Sequence, residues 1–112
     1  MKLALHRAGD FNADFDQRYR WYLEQAGEEL AERFLAAVLA TSRLLTEQPD
    51  LGRRRKFRNP ALHDLRSFRV NPPFNKILIF YRVTKDSVEL WRLMHGSRDL
   101  PRRLVEPAIP EE

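Results

Sequence analysis

The residues best suited to chemistry in this chain are His95 and the arginines Arg66, Arg82 and Arg98, with Arg69 as a further cation. A histidine serves as acid or base near neutral pH, and guanidinium groups stabilise negative charge that builds on phosphorus. Together they suit metal-independent RNA cleavage. In that reaction a base activates the 2′-hydroxyl, an acid protonates the leaving oxygen and cations hold the extra phosphoryl charge. Each residue also has a structural use: His95 can cap a strand end, and Arg98 can pair with the adjacent Asp99.

Other chemistries are poorly served. Four scattered glycines make no phosphate-cradling loop, and no serine sits in a nucleophile elbow. His6, His63 and His95 lack metal-ligand spacing and cysteine is absent, so no metal, cofactor or disulfide is expected. His63 and Asp64 are neighbours, which on a strand puts them on opposite faces. Carboxylates of the second half are few, and paired-carboxylate hydrolysis is unsupported.

The elements that must position these groups centre on residues 76–99. Lys76–Val83 is a near-continuous apolar, β-branched and aromatic run, as in a strand covered on both faces. Val88–His95 is a second strand, and Thr84-Lys85-Asp86-Ser87 has the composition of a hairpin connection. A turn at Lys85 and Asp86 pairs Val83 with Val88, Arg82 with Glu89 and Phe80 with Trp91. Strict alternation then puts Ile77, Ile79, Tyr81, Val83, Val88, Leu90, Arg92 and Met94 on one face, which reads as core. The other face carries Lys76, Leu78, Phe80, Arg82, Glu89, Trp91, Leu93 and His95, and is expected to stay open for a partner.

Upstream, Lys2–His6 reads as a strand. Asp10 reads as a helix N-cap, with an amphipathic helix from Phe11 to Gly27. A second helix from about Glu28 carries Leu30, Phe34, Ala37, Val38, Thr41, Leu44 and Leu45 at helical spacing until Pro49 and Gly52 stop it. A connection of two or three residues implies an antiparallel helical hairpin. Leu62–Val70 reads as an arginine-rich strand, and Leu100–Val105 as one helical turn. The expected fold is α+β: a small, mostly antiparallel sheet in the order β-α-α-β-β-β with the helical hairpin packed on one face. Residues 1–105 form one domain, and 106–112 a proline-rich acidic tail.

Charge is unevenly distributed. Residues 1–51 hold 6 basic and 9 acidic side chains, residues 52–103 hold 14 and 4, and residues 104–112 hold 0 and 3. The field of the C-terminal half suits a polyanion or an acidic protein. Its densest part is the loop Arg53-Arg54-Arg55-Lys56-Phe57-Arg58, able to meet phosphates or simply to be solvated. No apolar run approaches a membrane span and no signal peptide is evident, so a soluble cytoplasmic protein is expected.

Over roughly residues 2–100 the chain resembles the RelE/ParE family of toxins from bacterial type II toxin–antitoxin modules of the plasmid-stabilisation type. The resemblance is carried by Trp21-Tyr22, Ala31 and Phe34, Pro49-Asp50-Leu51-Gly52-Arg53, Leu65-Arg66-Ser67, Ile79-Phe80-Tyr81-Arg82-Val83 and His95-Gly96-Ser97-Arg98-Asp99. It implies a cognate antitoxin whose extended acidic segment wraps the toxin in a hetero-oligomer. The target is DNA gyrase for ParE-like members, and ribosome-bound mRNA for RelE-like nucleases. The nuclease type usually carries a tyrosine near its C-terminus, whereas here no tyrosine follows Tyr81. That departure favours the ParE-like reading, with an endoribonuclease using His95, Arg66, Arg82 and Arg98 as the alternative and a non-toxic binding module as a third. Phe80 and Trp91 are the expected antitoxin anchors, helped by Arg82, Arg53, Arg54, Arg55 and Lys56.

Overall fold

The structure, a computed structural model, describes residues 3–96 and 100–106. β1 (Ala4–Arg7) leads into α1 (Gly9–Ala26) and α2 (Glu28–Glu47). A 3-10 turn at Pro49–Leu51 precedes β2 (Arg53–Arg54), and a second at Pro60–Leu62 precedes β3 (Arg66–Arg69). β4 (Ile77–Val83), β5 (Ser87–His95) and α3 (Leu100–Val105) complete the order. The sheet runs β1-β5-β4-β3-β2, with β1 parallel to β5 and every other pairing antiparallel. This is the expected α+β architecture with one additional strand, because Arg53–Arg54 pairs with Ser67 and Arg66 at the sheet edge instead of remaining loop.

The helical hairpin is tighter than expected. Gly27 alone joins the helices at φ 93°, a left-handed conformation that glycine adopts without a Cβ penalty. The first helix also starts earlier: Ala8 occupies the N-cap, and Asp10 lies within the first turn, where its charge complements the helix dipole. Phe34 is the hub between helices and sheet, with ring centroids 5.4 Å from Phe15, 5.0 Å from Tyr22 and 5.3 Å from Phe74. Below it lie Ile77, Ile79, Tyr81, Val88, Leu90 and Leu93. Fully burying a phenylalanine of this kind contributes about 1.5–3 kcal/mol.

The β4–β5 hairpin keeps the expected register only at its turn. Thr84 and Ser87 close it, and Val83 faces Val88, Arg82 faces Glu89 and Tyr81 faces Leu90. There the register shifts, so that Phe80 faces Arg92 and Trp91 is the extra residue of a bulge. One inserted residue reverses the facing of everything beyond it. Leu93, expected on the second face, packs with the helices, whereas Met94, expected in the first core, joins the other side. His95 is opposite Ile77, not on the Phe80 face.

The second face is not open. Leu62, Leu65, Phe80, Met94 and Leu104 form a second core beneath α3 and the Pro60–Leu62 turn, with Phe57, Leu78, Trp91 and Leu100 around it. A six-residue helix packs there because its C-terminal carbonyls are capped from below. Arg92 Nη1 donates to the carbonyls of Leu104 at 3.1 Å and Glu106 at 2.7 Å, while Arg92 Nε and Nη2 grip both oxygens of Asp14 on α1. The expected tail lies outside the described residues from 107 onward.

Candidate functional site

The sequence-predicted residues are dispersed over the sheet. Arg66 lies opposite Tyr81, and its Nη1 donates to the carbonyl of Gly52 at 3.0 Å beside an exposed ion pair with Asp50. Arg82 donates to the carbonyls of His63 and Ala61, and its guanidinium stacks 5.1 Å from the centroid of the Trp91 ring. Both arginines therefore hold loops against the sheet. His95 is exposed at the far end of β5, with Nδ1 3.0 Å from the carbonyl oxygen of its neighbour Gly96. It is opposite Ile77, four residues along β4 from the partner of Arg66, or about 13 Å at the rise of an extended strand. Arg98 lies outside the described residues. His95, Arg66 and Arg82 thus do not converge on one reacting phosphate.

Of the expected partner-binding residues, Phe80 is fully buried and Trp91 half-buried beneath Arg82. Arg53, Arg54 and Lys56 are exposed on and after the edge strand. Arg55 is different. It is half-buried, its Nε donates to Ser67 Oγ at 2.8 Å, and its guanidinium sits 5.8 Å from the Phe80 centroid. Burial, reinforced by neighbouring Arg53, pushes its pKa down from the ordinary value.

Two depressions flank the end of the sheet at His95. One, of about 440 Å³, lies between α1, β5 and α3 and includes Trp21, Arg18 and the buried Asp14–Arg92 pair. The second, of about 590 Å³, is lined by Arg55, Arg69, Asn75, Lys76, Leu78, His95 and Gly96. Neither was legible in the sequence, because each draws on residues from several elements distant along the chain.

A model of the ParE toxin of the type II toxin–antitoxin system parDE matches residues 7–100. The chain belongs to the ParE toxin family. Among solved structures it is similar to a chain of the chromosomal ParDE toxin–antitoxin system from P. aeruginosa, with a TM-score of 0.69 and 18% identity over 86% of this chain and 98% of that one. It is also similar to a conserved hypothetical protein from Helicobacter pylori, with a TM-score of 0.53 and 19% identity over 84% of this chain and 94% of that one. At such identities these likenesses concern the fold. No curated protein matches the chain. Family membership makes it a toxin of type II toxin–antitoxin systems, and no helix among the described residues is long and apolar enough to cross a membrane.

In this ParE-family chain one buried group that sequence reading left in the core also carries a hydrogen-bond role. Tyr81 Oη donates to the carbonyl of Pro49 at 2.8 Å and accepts from the amide of Gly52 at 2.8 Å, pinning the turn after α2. Burial pushes the Tyr81 pKa above the ordinary 10.0, against the lowering effects of the Gly52 bond and of Arg66. A raised folded-state pKa contributes stability that is complete below the unfolded value and lost as pH rises through the folded one. Unfolding free energy is therefore expected to fall above about pH 10, and Tyr81→Phe to flatten that alkaline fall. Urea unfolding of both proteins across the alkaline range tests this; parallel curves would count against it.

Proposed function

We propose that this ParE-family toxin acts by inhibiting DNA gyrase and is neutralised by a cognate antitoxin in a hetero-oligomer. Family membership over residues 7–100 supports the toxin role. The observation that carries the choice of target is the dispersal of the nuclease residues. Arg66 and Arg82 are committed to backbone carbonyls, and His95 lies about 13 Å away along the sheet. A protein-binding toxin needs no general acid or base, so it tolerates this arrangement.

An acidic, extended antitoxin segment matches the cations at Arg53, Arg54, Arg55 and Lys56 and the half-exposed Trp91–Arg82 stack. Phe80 becomes an anchor only where α3 and the Pro60–Leu62 turn lift from it.

The test is gyrase supercoiling with the purified chain, with and without antitoxin. Inhibition that antitoxin reverses, and that His95→Ala leaves intact, is the expected result. A folded chain without effect on gyrase defeats the proposal, and ribosome-dependent mRNA cleavage abolished by His95→Ala would establish the endoribonuclease reading in its place.

A further inference from the structure

The second depression has a composition that neither the family nor the gyrase reading accounts for. Its cations come from consecutive parts of the sheet: Arg55 beyond β2, Arg69 at the end of β3, Lys76 just before β4, with His95 at the end of β5. Register places them side by side. Arg69 lies opposite Leu78 and Ser67 opposite Phe80, so Arg69 shares the Phe80 face with Arg55. Lys76, two residues before Leu78, continues that face from β2 across β3 to β4, while His95, opposite Ile77, borders the groove only at the end of the sheet. Two strand spacings make that row about 10 Å wide. Consecutive phosphates of one DNA strand advance about 3.4 Å along the axis, so the row spans about three of them.

Arg55 extends along the same face and is held in place by Ser67 and the Phe80 ring. Among the described residues the lining holds no carboxylate. Outside the groove Arg66, Arg92 and Arg102 are each paired with an acid, Asp50, Asp14 and Glu106 respectively.

We propose that this groove binds the phosphate backbone of duplex DNA through Arg55, Arg69 and Lys76, with Asn75 as a neutral donor. The favoured occupant follows from what lines the groove. Single strands bind largely by stacking bases on aromatic rings, and among the described residues this lining has none. Protein partners are captured by buried aromatic or apolar anchors, and among the described residues the only large apolar side chain here is Leu78. Point cations spaced along a sheet suit backbone contacts without base reading. The binding belongs to the isolated chain and does not depend on gyrase being the target.

The experiment is fluorescence anisotropy of a short labelled DNA duplex titrated with the full chain at several salt concentrations. Three phosphate contacts predict a logarithmic salt slope of about −2.7 or steeper, which is roughly a 40-fold loss of affinity between 50 and 200 mM salt. Arg69→Gln with Lys76→Gln, both at exposed positions, should flatten the slope by about 1.8. Arg20→Gln with Lys85→Gln removes equal charge from exposed positions on α1 and in the β4–β5 turn, and should leave the slope unchanged. Absence of salt-dependent binding overturns the proposal. So does equal flattening by the two variant pairs, or competition by polyglutamate as effective as that by unlabelled duplex. Stronger binding of a single strand or of an RNA duplex overturns the choice of duplex DNA. Because gyrase is absent, each of these outcomes is independent of the supercoiling result.

Discussion

Asp14→Ala is expected to lower the unfolding free energy by about 3–5 kcal/mol, the cost typical of removing one partner from a buried ion pair. Side chains of Asp14 and Arg92 are only 8% and 4% exposed, so neither charge can turn to water when its partner goes. The carboxylate accepts three bonds: Oδ2 from Arg92 Nε at 2.8 Å and from the Leu93 amide at 3.0 Å, and Oδ1 from Arg92 Nη2 at 3.1 Å. The truncated protein is left with a buried cation and an unpaired Leu93 amide in β5. Arg92 in turn caps α3, so the damage should extend to the second core that α3 covers.

Replacing both residues, as in Asp14→Leu with Arg92→Met, should recover part of the loss, since a well-packed apolar pair can substitute for a buried ion pair. Recovery stays incomplete because the Leu93 amide and the α3 carbonyls still lack partners. Urea unfolding of both variants measures this. A loss below about 1 kcal/mol for Asp14→Ala would show that the pair contributes no more than an exposed one.

This pair also marks where sequence reading stops. The helices were legible because Leu30, Phe34, Val38, Thr41 and Leu45 repeat at helical spacing, and the β4–β5 turn because Thr84 to Ser87 interrupt two β-branched runs. Nothing local announces the bulge at Trp91, for no glycine or proline stands there. Its consequence is large, since alternation read through it put Leu93, Met94 and His95 on the wrong faces. Two-residue β2 was illegible for another reason: Arg53 and Arg54 have no apolar pattern, and their place is decided by pairing with Ser67 and Arg66. α3 was visible as a turn but not as a cover, because its position depends on Arg92 and, through it, on Asp14, 78 residues earlier. The open face expected over Phe80 failed on that long-range bond. Of the candidate site, residue types were legible and their convergence was not, since convergence depends on register.

Gly52→Ala is the other substitution expected to be severe, on the order of 3–6 kcal/mol from overpacking together with disrupted buried hydrogen bonds. Conformational freedom is not the reason for glycine here, because φ −69° and ψ 147° suit any residue. Space is. A Cβ at this position would fall on Tyr81 Oη and within 2.6 and 2.7 Å of its Cε1 and Cζ. The ring is fully buried under the helices and cannot swing away, and its hydroxyl already ties Gly52 to Pro49. The Gly52 carbonyl is held in turn by Arg66 at 3.0 Å, so a backbone shift would break a second anchor. Tyr81→Phe alone should cost about 1–3 kcal/mol by leaving the Gly52 amide and Pro49 carbonyl unpaired. In combination the two should cost less than their sum by about 1 kcal/mol or more, because deleting the hydroxyl removes the nearest of the ring atoms on which the new methyl collides. A double-mutant cycle by urea unfolding reads this coupling directly. Strict additivity would mean that the turn relaxes away from Tyr81, and that the pairing of Gly52 with this tyrosine does not constrain the path from α2 into the sheet.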